Sequence, residues 1–392
     1  MNLYLVSKFH NMLKLGHIYL LGIWFSIFLA VPCLCQKAQL DKIEVLNQLR
    51  AANTYFSAKW PDVGKTIITN RERASNIWTR AVYYEGLMKL YSIDPQPEYY
   101  KYAKDWAEFH NWNLRDGITF TRNADNQCAG QTYIDLYQYE PFPHKIEKIK
   151  ASIDSMMHSE KIDDWSWIDA VQMAMPVFAK LGVIFQDQAY WDRMYEMYMF
   201  TRNKTGGNGL YNPKDGLWWR DADFDPPYVE PNGEDCYWAR GNGWIVMALA
   251  RVLEIIPEDE AHRKQYEEDF KTMMKALLKV QRKDLFWNVS LHDSGHFGGK
   301  ETSGTSMFLY GLTWGINHGY FKSQKFKKLA NRTWNSLTQN ALHANGFLGF
   351  VQSTGKEPSD GQPLSYEKMP DFEDFALGAF LMAGSEIYRM NL

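Results

Sequence analysis

Asp169 is the residue whose surroundings most demand a chemical explanation. It closes the run Asp163-Asp-Trp-Ser-Trp-Ile-Asp169, which leads directly into Ala-Val-Gln-Met-Ala-Met-Pro-Val-Phe. The apolar helical pattern has already begun by that point, so its side chain is expected to project from the first turn of a buried helix. A helix N-terminus favours nearby negative charge. An unpaired carboxylate inside a core nevertheless costs several kcal/mol or shifts its pKa. Proton transfer to a sugar held between aromatic rings would account for such a group.

Further polar residues recur at the heads of other apolar segments. Asn123-Ala-Asp125-Asn126 opens one of them, and Asp125 is a candidate partner for Asp169 or, alternatively, a helix N-cap. Glu234-Asp235-Cys-Tyr-Trp238-Ala-Arg240-Gly-Asn242-Gly-Trp244 opens another. Its glycines permit close backbone approach, and Arg240 either meets a substrate or pairs with Glu234 or Asp235. Arg220 follows Trp218-Trp219 and could grip a carboxylate bidentately, or bridge to Asp221 or Asp223. Asp163 and Asp164 suit capping and the helix dipole. His292, Asp293 and His296 match no common metal-site spacing, so no metal or other cofactor is expected.

The elements that must carry these residues are helical almost throughout. A polar or Gly-bearing turn opens repeatedly into an apolar helix rich in small residues, beginning near Ile77, Asn126, Trp167, Arg240, Thr302 and Asp374. Amphipathic, charged segments lie between them, at Glu98 to Phe109, Asp187 to Thr201, Glu258 to Gln281 and Lys325 to Leu337. Six such pairs, with apolar helices inside and charged ones outside, predict an all-α (α/α)6 barrel. Its polar turns would gather at one rim. The loop Tyr211 to Cys236 is too long for a bare connector and is expected to fold over that rim.

Composition narrows the ligand. The 392 residues carry a net charge of -3, which argues against nucleic acid as a partner. The chain holds 15 Trp, 23 Tyr and 22 Phe. Most of the Phe and many Tyr are expected in the core. Trp165, Trp167, Trp218, Trp219, Trp238 and Trp244 stand in polar company and suit stacking on sugar rings. Several carboxylates, Arg and Trp faces converging on one cavity fit a polar, acidic oligosaccharide. At the start of the chain, Lys8, His10 and Lys14 precede the apolar run Ile18 to Leu34. Residues 1–35 read as a signal peptide or, if retained, a membrane anchor. The protein is therefore expected outside the cytoplasm, periplasmic or secreted, with no membrane span after cleavage and one catalytic domain over 36–392. Two of the four Cys fall in that leader, and Cys128 and Cys236 are read as two buried thiols rather than a disulfide framework.

The segments around Asn123-Ala-Asp125-Asn126, Trp167-Ile-Asp169-Ala-Val-Gln-Met-Ala-Met-Pro, Trp238-Ala-Arg240-Gly-Asn242-Gly-Trp244 and Glu301-Thr-Ser-Gly-Thr resemble glycoside hydrolase family 105, the unsaturated rhamnogalacturonyl hydrolases. Family 88, the unsaturated glucuronyl hydrolases, is a more distant likeness. The resemblance spans about Ile77 to Tyr388 and implies the same (α/α)6 barrel. It also implies hydration of the C4=C5 double bond of an unsaturated uronic acid left by a polysaccharide lyase. Asp169 would be the acid/base and Asp125 the second carboxylate. Arg240 would contact substrate, with Trp238 and Trp244 as walls and Arg220, Trp167 and Asn242 nearby. Many members carry a His where this chain has Trp219-Arg220-Asp221, and the family Lys before the catalytic Asp has only Lys161 as counterpart. Both departures bear on substrate choice. The competing readings are a conventional glycosidase or sugar epimerase on the same barrel, and a non-catalytic glycan-binding protein.

Overall fold

The computed structural model describes residues 40–68, 71–115, 121–367 and 374–391. The expected leader lies outside the described residues. Six long helices form an inner ring: α2 (Trp78–Tyr91), α5 (Ala129–Tyr139), α7 (Asp169–Phe185), α9 (Ala239–Ile255), α12 (Thr302–Asn317) and α14 (Asp374–Met390). Each packs against the next, and α14 packs back on α2, so the ring closes. These helices correspond to the six apolar segments read from the sequence. α7 and α12 are buried on every face through most of their length, as the lack of a polar stripe requires.

The outer layer is α1 (Lys42–Lys59), α3 (Pro97–Phe109), α6 (Glu147–Met157), α8 (Gln188–Asn203), α10 (Arg263–Lys279) and α13 (Gln324–Ala341). Four of these follow the charged amphipathic segments. α13 shows the rule, burying Ala330, Trp334, Leu337 and Ala341 at helical spacing while its lysines face water. The structure adds α1 and α6, whose inner faces include the buried polar residues Asn53 and Ser152 and so blur the apolar stripe. Two short helices, α4 (Ala124–Gln127) and α11 (Ser294–Phe297), sit in the connections.

The ring closes tightly because glycines meet where α2 crosses α14. A Cβ on Gly86 would lie 2.4 Å from the Gly378 carbonyl oxygen, and one on Gly378 would lie 2.1 Å from that of Val82. The few strands are two-residue hairpins. β1 (Ile67–Ile68) pairs with β2 (Glu72–Arg73), and β3 (Tyr211–Asn212) pairs with β4 (Leu217–Trp218), both antiparallel. The second hairpin belongs to the long loop after α8. That loop is tied to the start of α7 by the Ile168 amide, which donates to the Arg220 carbonyl at 3.0 Å. Among the described residues, no helix is long and apolar enough to cross a membrane. Cys128 and Cys236 are free and buried.

Candidate active site

A cavity of about 300 Å³ lies at the N-terminal ends of α2, α4 and α7. Asp125 and Asp169 both line it, together with Trp78, Trp167, Met173 and Arg220. The remaining wall is Thr354, Gly355, Lys356 and Asp360, from the segment before α14.

Asp169 is the first residue of α7, and Ile168 before it offers no side-chain cap. Its carboxyl is only 6% exposed, and burial raises its pKa against the opposing charges of Arg220 and Arg240. Arg220 Nε stands 3.5 Å from Asp169 Oδ2. Both atoms are buried and lack a hydrogen-bond partner among the described residues. Arg220 also contacts Asp221 through Nη1, so the bridge to Asp221 is the alternative the structure shows. Asp125 lies in the first turn of α4, where Asn123 supplies the cap instead. Burial, and then the charge on Asp169, push the Asp125 carboxyl up to about 7, with Arg115 and Arg220 acting in the other direction. Two carboxyls that repel one another across one cavity give up their protons in separate steps. Near neutral pH such a pair offers one acid and one base.

Other expected residues stand behind this cavity rather than in it. Arg240 is 1% exposed; Nη1 donates to the Gln352 carbonyl at 2.8 Å and Nη2 to that of Ser353 at 2.9 Å. It pairs with neither Glu234 nor Asp235, and burial pushes its guanidinium down to about 10. Its planar group lies over the Trp238 ring, 4.4 Å from the centroid. Trp238 is itself buried, with Nε1 donating to Gln352 Oε1 at 2.8 Å. Arg240 and Trp238 thus fix the segment that presents Thr354 to Lys356. Trp244 is buried and meets Trp78 edge-on, with ring centroids 6.0 Å apart, so it buttresses a cavity wall. Asn242 was expected to touch substrate, but its amide is used within the fold. Nδ2 donates to the carbonyls of Trp218 and Trp238, and Oδ1 accepts from the Trp218 amide. It locks β4 to α9, two residues before Arg220.

The expectation that Asp163 and Asp164 start the helix is corrected, since α7 begins five residues after Asp164. Asp163 is exposed and pairs with Lys161, while buried Asp164 pairs with Arg122. Lys161 is therefore occupied at the surface. Glu301 caps α12 by accepting from the Ser303 and Gly304 amides. Glu230, Asp293 and His296 bring donor atoms within 4.8 Å of one another. Asp293 there caps α11, and Glu230 accepts from the Ser290 hydroxyl at 2.8 Å. The residues that sequence reasoning missed are Trp78, Met173, Thr354 to Lys356 and Asp360. They belong to the first and sixth units, to which no chemistry was assigned, and to the body of α7. The polar Gly- and Pro-bearing stretch before the sixth helix was the available signal.

A family model described as Glycosyl Hydrolase Family 88 matches residues 50–391. The chain belongs to glycosyl hydrolase family 88. Among its relatives is an unsaturated 3S-rhamnoglycuronyl hydrolase of Formosa agariphila, 30% identical over 336 residues, covering 80% of this chain and 85% of that one. A family 88 structure from Bacteroides vulgatus superposes with a TM-score of 0.81 at 29% identity, covering 90% of this chain and 100% of that one. A chain described as a polysaccharide lyase superposes with a TM-score of 0.80 at 31% identity, covering 89% and 97%. As a family 88 member the protein is a glycoside hydrolase on an α/α barrel. The paired carboxyls at the barrel mouth are where its geometry allows acid/base chemistry.

Proposed function

We propose that this family 88 protein removes a 4,5-unsaturated uronic acid from the non-reducing end of oligosaccharides left by a polysaccharide lyase. The observation that carries this reading is the pair of half-buried Asp125 and buried Asp169, facing one cavity with Arg220 beside Asp169. The unsaturated uronide is an enol ether. Protonation at C4 and addition of water at C5 give a hemiketal, and the second proton of that water returns to the carboxyl pair. The hemiketal opens to a C5 ketone, which leaves C1 as a hemiacetal. Collapse of that hemiacetal to the aldehyde releases the neighbouring sugar with its glycosidic oxygen. Asp169 supplies and recovers the proton, and Asp125 holds sugar hydroxyls and tunes Asp169. Arg220 meets the uronate carboxylate. Because the nucleophile is water on a double bond, the separation of the carboxyls does not set retention or inversion as in ordinary glycosidases.

The name of the Formosa relative favours a uronide joined to rhamnose as the substrate, of the rhamnogalacturonan type or a similar acidic glycan. The basic and then apolar leader supports export, so the enzyme is proposed to act in the periplasm or outside the cell, or from the membrane surface if the leader stays in place. The test is incubation with lyase-treated pectic, ulvan and arabinogalactan fragments, followed by ultraviolet absorbance. Loss of the conjugated chromophore is expected, and Asp169→Asn should slow it by about 10²–10⁴-fold without unfolding the protein. Loss of absorbance on none of the fragments would sink the proposal. A rise in absorbance with saturated polymer would instead identify a lyase.

A further inference from the structure

The six inner helices also frame a second cavity, of about 290 Å³, at the end of the barrel away from Asp125 and Asp169. Arg240 and Arg251 mark the two ends on one helix; they stand eleven positions apart on α9, or about 16 Å along the axis. We propose that this far mouth is a binding site for a compact sugar acid, a monosaccharide-sized carboxylate held by Arg251 and Tyr310.

Both residues line the cavity, with Arg251 8% exposed and Tyr310 1% exposed. Arg251 Nη1 contacts the buried Glu85 carboxylate, which fixes the plane of the guanidinium. No described residue accepts from Arg251 Nε or Nη2, and neither atom is sealed from the cavity. These two atoms form the side-on edge whose parallel N–H bonds match the two oxygens of a carboxylate. The Tyr310 hydroxyl is likewise without a partner among the described residues and is not sealed from the cavity. A guanidinium edge and a phenol hydroxyl, both open toward one cavity, are placed to bind one acceptor group together.

The charge around them argues for a monoanion. Every cation on its wall faces a carboxylate: Arg251 meets Glu85, Lys180 meets Asp135, Lys89 meets Glu254 at 2.8 Å, and Arg389 meets Glu386 at 2.8 Å; only Arg251 keeps an open hydrogen-bonding edge. A collar of paired charges does not attract a polyanion, so recognition falls to the open Arg251 edge. Gln138 is placed to meet a sugar hydroxyl, and Met88 and Met382 offer apolar walls. The volume suits one sugar ring.

The test is calorimetric titration of the whole chain with D-glucuronate. Arg220→Gln disables the carboxylate-binding group proposed at the catalytic mouth and serves as the background. One saturable site is expected to remain there. In that background Tyr310→Phe should weaken it by about 2–10-fold, the loss of one hydrogen bond. Arg251→Lys keeps a positive charge for Glu85 but lacks the fork, and should abolish binding. Tyr310→Phe preserves packing and decides the matter if Arg251→Lys does not fold. Binding that disappears entirely with Arg220→Gln, or that is unchanged by both far-mouth substitutions, overturns the proposal. Because the site is distant from the carboxyl pair, either result leaves the hydrolase reading standing.

Discussion

Arg220 Nε stands 3.5 Å from Asp169 Oδ2, with both atoms buried and neither hydrogen-bonded among the described residues. This contact joins two parts of the chain that start far apart. Asp169 comes from the head of α7, and Arg220 from the loop after β4. Asn242 holds β4 in place, and the Ile168 amide bonds to the Arg220 carbonyl, so the pair is positioned by the fold rather than by mutual attraction alone.

Replacing Arg220 should therefore change the pH profile as well as the rate. A cation beside a carboxyl favours its ionised form, and Arg220 acts this way on both Asp169 and Asp125. Arg220→Gln removes that influence, so both carboxyls hold their protons to higher pH. The limbs of the kcat/KM profile are expected to move to higher pH, with a loss of about 10²-fold at the optimum. A large loss with no displacement of either limb would mean that Arg220 binds substrate without tuning the acids.

Asp125 carries a stability consequence whose sign can be worked out. Its folded-state pKa is raised from 3.8 to about 7. Between those values the folded form binds more protons than the unfolded form, so this group's contribution to stability falls as pH rises through the window. Above it, the ionised carboxylate remains a burden on the fold. Asp125→Asn removes that burden. The variant should melt above the wild type at pH 8, by about 2 °C, and lose the advantage near pH 4, while activity falls. Thermal melts at both pH values check this, and an equal difference at the two would contradict it.

The barrel was legible because its signal is periodic. Six apolar, small-residue segments became α2, α5, α7, α9, α12 and α14, and four charged segments became outer helices. α1 and α6 were not read, since buried Asn53 and Ser152 interrupt their stripes. At the mouth, the structure puts Asp125, Asp169, Trp167 and Arg220 on one cavity, and each was marked by a residue type unusual for its place. Thr354 to Lys356 were not, because an irregular segment has no period. Its placement depends on hydrogen bonds from Arg240 and Trp238, more than a hundred residues away in sequence. The same long-range bonding hid the role of Asn242, whose neighbours in sequence suggested a ligand and whose partners in space are backbone.

The closure of the ring can be tested apart from the chemistry. A methyl group at Gly378 would sit 2.1 Å from the Val82 carbonyl oxygen and 3.0 Å from the Tyr83 Cα. Both obstacles are backbone, so no side-chain rotation relieves them. Gly378→Ala should force α14 away from α2 and destabilise the protein by roughly 1–3 kcal/mol. Urea unfolding should show a lower midpoint with an unchanged slope. An unchanged midpoint would require the two helices to be further apart than described here.

Arg240 offers the sharpest separation between touching substrate and placing the groups that do. Its fork holds the Gln352 and Ser353 carbonyls at 2.8 and 2.9 Å, and Thr354, Gly355 and Lys356 follow on the cavity wall. A lysine retains the charge but cannot bond two carbonyls in one plane or stack on Trp238 in the same way. Arg240→Lys is expected to free the segment, raising KM and lowering kcat/KM by roughly 10-fold, with a smaller change in kcat. Amide hydrogen exchange across residues 352–356 should quicken in the absence of substrate. That second measurement decides the role. If Arg240 acted only by contacting the sugar, the kinetic loss would come with no change in exchange in the free enzyme.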